Sequence, residues 1–170
     1  MSWVPVVLTR RMVLITTGVT ALTSCASDAK NGSSSGSPAQ TAQTDAARDR
    51  ALAAEADLLA RYDAALALPS VAADSALTMK LASIREEHLS HAAAIRDGYA
   101  ASPAPTASPS PTIPGPDSQS TIAALAKAEQ DAASARTADI LAAEGTTAML
   151  LASVAASESG HIALLLGAAG

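Results

Sequence analysis

Residues 102–116 hold six of the chain's nine prolines. No α-helix can run through them, because proline lacks the backbone donor and its ring clashes with the preceding turn. The segment favours extended, polyproline-like chain, which at about 3.1 Å per residue reaches across a bundle roughly 35 Å long. The sequence on either side is rich in alanine, the strongest helix former, and contains no phenylalanine. Such a composition points to helices packed closely through small side chains. Further punctuation at Pro69 and at Gly145-Thr146-Thr147 divides the chain into four helical segments, expected at 45–68, 74–100, 117 or 118 to 144, and 148–167. The expected fold is all-α: an antiparallel four-helix bundle of two hairpins, with one long Pro-rich crossover between the second and third helices.

The first residues read as an export signal. Arg10 and Arg11 supply positive charge, residues 12–22 form an apolar run too short to span a bilayer, and Leu22-Thr23-Ser24-Cys25 has the order of a lipobox. Cleavage before Cys25, the only cysteine, followed by lipidation of its sulfur would anchor the mature protein on the extracytoplasmic face of the cell membrane. An ordinary secretory signal with a chance cysteine is the alternative. Thr9-Arg10-Arg11-Met12-Val13-Leu14 also has the form of a twin-arginine signal, so either general or folded-protein export fits. Residues 26–44 are small and polar and are expected to be a flexible tether to a domain over 45–170. Losing Arg10 and Arg11 with the signal leaves nine Lys/Arg against sixteen Asp/Glu, a formal charge of −7. That balance argues against a nucleic-acid partner, which needs a basic footprint.

Each helical segment carries an apolar stripe at three-four spacing, and ionisable residues interrupt all four. The stripes read Leu52, Glu55, Leu59, Tyr62, Leu66; Leu77, Leu81, Ile84, His88, His91, Ile95; Ile122, Leu125, Glu129, Ala132, Arg136, Ile140; and Leu151, Val154, Glu158, His161, Leu165. Glu55, His88, Glu129 and Glu158 fall near the middles of their helices, which lie at one height in an antiparallel bundle. Glu55, His88, His91, Glu129, Glu158 and His161 are therefore expected to meet in one buried layer. Buried carboxylates are costly unless paired or bound to metal, and this donor set suits a transition metal, iron among them. The halves form a loose repeat, with Glu129 74 residues after Glu55 and Glu158 70 after His88. Tyr62, about 10 Å along its helix from Glu55, is expected to be a core side chain and not a redox-active one. Arg136 could neutralise Glu129, pair with an acid of a neighbouring helix, or reach solvent.

The pattern resembles the ferritin-like carboxylate family, in which two helices each give one glutamate and two give Glu-x-x-His. Glu55 and Glu129 match the single glutamates, and Glu158-Ser-Gly-His161 matches one Glu-x-x-His. Over about 45–168 the chain is also similar to an Ala-rich, ferritin-like domain of unknown function found in bacterial lipoproteins. The shared features are Glu55-Ala-Asp-Leu-Leu-Ala-Arg-Tyr62, Glu87-His88-Leu-Ser-His91 and Leu151-Ala-Ser-Val-Ala-Ala-Ser-Glu158-Ser-Gly-His161. The chain departs from the di-metal pattern where the second helix has His88-x-x-His91. Three carboxylates then face the +4 of two divalent ions, so a single ion with His-rich coordination fits better. Glu87 points about 100° away from His88 and is a poor substitute ligand.

Two functions follow as expectations. One is a membrane-tethered ferritin-like domain whose six acids and imidazoles bind a transition metal. The other is a non-catalytic envelope lipoprotein, in which the same groups pair as buried Glu–His hydrogen bonds and the bundle serves as an interaction module.

Overall fold

The computed structural model describes residues 37–101 and 117–167. The export signal, Cys25 and the Pro-rich segment 102–116 lie outside the described residues. Among the described residues five helices form: α1 (Pro38–Leu66), α2 (Pro69–Ala72), α3 (Ser75–Arg96), α4 (Ser118–Ala142) and α5 (Gly145–Leu166).

Local chemistry explains the helix ends and corrects several expected boundaries. α1 starts at Pro38, seven residues before the expected 45, so residues 38–44 are helix and not tether. Ser37 Oγ accepts from the Gln40 amide, and Pro38 occupies the first turn, where its missing N–H costs nothing. The extension is tied down at its far side: Gln40 Nε2 donates to the Ala142 carbonyl at 3.0 Å, and Thr44 Oγ1 accepts from the Glu144 amide at 3.0 Å. Pro69 opens the single turn of α2, which buries Val71. Asp74 caps α3 by accepting from the amides of Ala76 and Leu77, and Asp117 caps α4 by accepting from Ser120. α3 ends at Arg96, short of the expected 100, where the chain turns through Gly98 at φ +65°. α5 begins at Gly145 (φ +34°), a residue expected to end the preceding helix, so the α4–α5 connection is tighter than anticipated.

Contacts along the helices give their directions. Arg85 of α3 pairs with Asp63 of α1, while Tyr99, just past α3, donates to Asp49 near the start of α1. Arg50 of α1 meets Asp139 near the end of α4. Lys80 near the start of α3 reaches the Leu164 carbonyl near the end of α5. α1 thus runs antiparallel to both α3 and α4, and α5 antiparallel to α3. α4 and α5 form the most extensively packed pair. The result is a four-helix bundle in which α3 and α4 lie across the diagonal and run the same way. The starts of α3 and α4 share one end, where Asp74, Leu77, Ser118 and Ile122 line a common cleft.

The core comes in two apolar parts. Tyr62, Ala65, Leu77, Leu81, Ile84, Ile122, Leu125 and Leu165 fill one end, and Ala47, Ala51, Ile95, Leu151 and Val154 the other. The stripes of α3 and α5 are buried as expected, except that His91 is only half-buried. On α1 the buried face is slipped by one residue: Ala51, Leu58 and Ala65 replace Leu52, Leu59 and Leu66, while Glu55 and Tyr62 stay inside. Alanine at these positions lets neighbouring backbones approach, and the leucines flank the seam. Among the described residues, α5 is the one helix long and apolar enough to cross a membrane. It nonetheless packs as a bundle helix, with Glu158 and His161 among its buried residues.

Candidate metal centre

Between the two apolar parts lies a polar layer supplied by four helices. Side-chain periodicity delivers it: His88 and His91 on α3, and Glu158 and His161 on α5, are three residues apart and share a face. On α1 and α4 the spacing is seven, two turns, for Glu55 with Tyr62 and for Glu129 with Arg136. Because α1 and α4 are antiparallel, these pairs cross. Tyr62 donates its hydroxyl proton to Glu129 Oε1 at 2.6 Å, and Arg136 Nη2 donates to Glu55 Oε1 at 2.7 Å. The Glu55 and Glu129 half of the loose repeat is thus a reciprocal arrangement in space.

His88 sits at the centre, with no solvent exposure. Its Nδ1 lies 2.9 Å from Glu55 Oε2 and its Nε2 2.9 Å from Glu129 Oε1. The His161 ring lies edge-on to it, with centroids 5.0 Å apart. His161 Nδ1 is 3.3 Å from Glu129 Oε1, and its Nε2 is 3.0 Å from Glu87 Oε2. His91 is at the rim, 17% exposed, with Nδ1 3.9 Å from Glu55 Oε2. These residues form two His/Glu clusters positioned to chelate a metal ion: Glu55, His88 and His91, and His88, Glu129 and His161. In each, one donor atom per residue lies within 4.8 Å of the others.

All six residues singled out from the sequence lie in or at the edge of this layer. Glu158, although fully buried, belongs to neither cluster; its Oε1 accepts from Arg136 Nη2 at 3.1 Å. Of the three roles open to Arg136, the structure selects the acids of neighbouring helices, Glu55 and Glu158, with the guanidinium wholly inside. Tyr62 is buried in the core as expected, and its hydroxyl reaches the layer. It is two turns from Glu55 along α1 yet bonded to Glu129 across the bundle. Glu87 faces away from His88, as expected from the helix period. Its carboxylate instead meets His161 of α5, beside Ser157. Nothing in α3 alone signals that contact, since it depends on which helix lies along that side.

Burial and charge pull the titrations in opposite directions. Desolvation disfavours charged His88, but hydrogen bonds to Glu129 and Glu55 outweigh it and push the imidazole up to about 9. Burial likewise opposes ionised Glu129, but His161, His88 and Tyr62 hold it down at about 2. Glu158 is raised to about 7, first by burial and then by Glu55 and Glu129, against the pull of Arg136. His91 is lowered by burial and by the neighbouring imidazoles. Burial also works against charged His161, yet Glu129 and Glu87 raise it overall. Burial and Glu129 drive the Tyr62 phenol far up, so it stays a donor.

The residues present fit a bound cation. Glu129 Oε2, Glu158 Oε2, His161 Nδ1 and His91 Nδ1 are buried without a hydrogen-bond partner, a rare condition for groups of this type. Nitrogen and carboxylate donors together suit divalent iron, manganese or zinc. No protein-family model, curated protein or solved structure matches the chain.

Proposed function

We propose that this protein is a ferritin-like bundle, anchored by lipid on Cys25 to the extracytoplasmic face of the cell membrane, that binds one divalent transition metal in its core. The observation that carries the metal reading is the meeting of buried imidazoles and carboxylates from four helices with donor atoms left unpaired. The lipobox order Leu22-Thr23-Ser24-Cys25 supports the anchor. Two antiparallel hairpins with parallel α3 and α4 are the directions that a single long crossover through the Pro-rich segment requires.

Charge favours one ion over two. Glu55, Glu129 and Glu158 carry −3 when ionised and Arg136 returns +1, leaving −2 for a single divalent ion to balance. A second ion would leave an excess of +2 in a low-dielectric interior. The bound ion would supply Lewis-acid or redox chemistry. The chain's own part is to hold it and keep its surroundings neutral. Arg136 compensates Glu55 and Glu158, and Tyr62 fixes the Glu129 carboxylate through its hydroxyl proton. In the metal-free protein a proton on His88 occupies the line to Glu129, so metal uptake displaces it.

Metal quantification on full-length protein purified without chelator tests the reading. One ion per chain is expected, with melting raised by Fe(II), Mn(II) or Zn(II). No stoichiometric metal and unchanged melting would overturn it. A second reading draws on Arg136 and His88, whose hydrogen bonds tie Glu55, Glu129 and Glu158 together without any ion. In that case the layer is structural and the bundle is an interaction module. His161→Ala would then change stability alone and leave capture of membrane partners intact.

A further inference from the structure

We propose that the ion takes the His88–Glu129–His161 cluster, and that Glu87 is the positioning residue that turns His161 Nδ1 toward it. The proposal rests on the metal-binding reading above and adds which cluster is used and what orients it.

The two clusters share His88 and differ in what their remaining atoms already do. In the cluster with His91, both oxygens of Glu55 are engaged, Oε1 by Arg136 at 2.7 Å and Oε2 by His88 Nδ1 at 2.9 Å. A cation there finds no Glu55 oxygen that is free of a hydrogen bond. In the cluster with His161, Glu129 Oε1 is likewise engaged, by Tyr62 at 2.6 Å and His88 Nε2 at 2.9 Å, but Glu129 Oε2 and His161 Nδ1 are both without a hydrogen bond. Donors about 2.1 Å from one ion stand about 3.0–3.4 Å from each other. His88 Nε2 and His161 Nδ1 stand 2.9 and 3.3 Å from Glu129 Oε1.

The outer nitrogen of each imidazole in this cluster is backed by a carboxylate. His88 Nδ1–H donates to Glu55, and His161 Nε2–H donates to Glu87 Oε2 at 3.0 Å. A proton fixed on the outer nitrogen leaves the inner one with its lone pair free, which is how carboxylates select the ligating tautomer of histidine. Glu55 is in turn held by Arg136. Glu87 is held by Ser157, whose hydroxyl donates to Glu87 Oε2 at 3.3 Å from the turn of α5 preceding His161. His91 has no such backing among the described residues: its one carboxylate contact is at the inner Nδ1, 3.9 Å from Glu55 Oε2. Glu87 is half exposed, so replacing it leaves the apolar core untouched.

The test uses full-length protein with Co(II) as the probe, titrated against a chelator, and nitrogen NMR of the metal-free imidazoles. Glu87→Leu removes the carboxylate and leaves His161 Nε2 only the Ser157 hydroxyl, 3.3 Å away, and is expected to weaken Co(II) binding about 10–100-fold. It should also shift His161 away from the Nε2–H tautomer. Glu87→Gln keeps an uncharged acceptor and is expected to fall between the two. His161→Ala should weaken binding more than His91→Ala. Wild-type affinity and an unchanged His161 tautomer in Glu87→Leu, or a larger loss in His91→Ala than in His161→Ala, would overturn the proposal while leaving metal binding intact. A wild-type chain that binds no Co(II) would overturn the metal reading itself.

Discussion

The apolar ends of the bundle and the polar layer between them bury side chains on opposite terms. At the ends, Leu81, Ile84, Leu125 and Leu165 need only fill space, and a lost methyl group costs its transfer energy plus a cavity. In the layer, each group is tolerable only while its partner is present, because an orphaned buried charge costs more than the pair contributes. The ends therefore tolerate change gradually, whereas the layer fails by whole interactions and responds to protons and cations.

Arg136 gives the sharpest contrast. Arg136→Met leaves Glu55 and Glu158 without their cation and is expected to cost about 3–5 kcal/mol by urea unfolding. Leu81→Ala, in the apolar part, is expected to cost about 2–5 kcal/mol. Only the Arg136 variant should recover stability as pH falls and the acids protonate. Similar acid responses in both variants would erase the distinction.

Protons should move the layer and not the ends. His88 is raised from 6.5 to about 9, so its contribution is complete below about 6.5 and is lost as pH rises through 9. Glu158 is raised from 4.5 to about 7, so the folded state again binds the extra proton and loses stability as pH rises through 7. Glu129 works the other way: lowered to about 2, it contributes above about 4.5 and fades as pH falls through 2. The metal-free protein should therefore be most stable near pH 4.5 and lose stability toward pH 9, by about 3 kcal/mol for each of the two raised groups. Divalent metal should reverse that slope, because it takes the place of the departing protons. Melting curves across this range, with and without Zn(II), check both directions.

Tyr62→Phe is the mildest probe. It keeps the ring in the apolar part and removes only the donor to Glu129, for an expected loss of about 1.5 kcal/mol. The metal titration should show weaker binding, because Glu129 loses the donor that fixes it, while apolar packing is unchanged.

How far the sequence could be read differed in the same way. Three-four spacing exposed the stripes of α3 and α5, and mid-helix acids and imidazoles announced a shared layer. The α1 stripe was misread by one position because leucine and alanine alternate there, and the leucines drew attention from the alanines that allow close approach. The start at Pro38 was hidden in a polar composition that also suits a tether. It becomes helix because Gln40 and Thr44 find partners at the α4–α5 turn. Glu87 was missed for a related reason, since its partner lies 74 residues away on another helix.

Alanine content, proline breaks and the period of apolar residues determined by themselves that the chain makes helices, where most of them pause, and which faces turn inward. Those are properties of local backbone preference and solvent, which act within a few residues. Tertiary structure alone decided which acid meets which base: Arg136 with Glu55 and Glu158, Tyr62 with Glu129, Glu87 with His161. Hydrogen bonds are made over about 3 Å, and only packing of whole helices brings residues far apart in the chain that close.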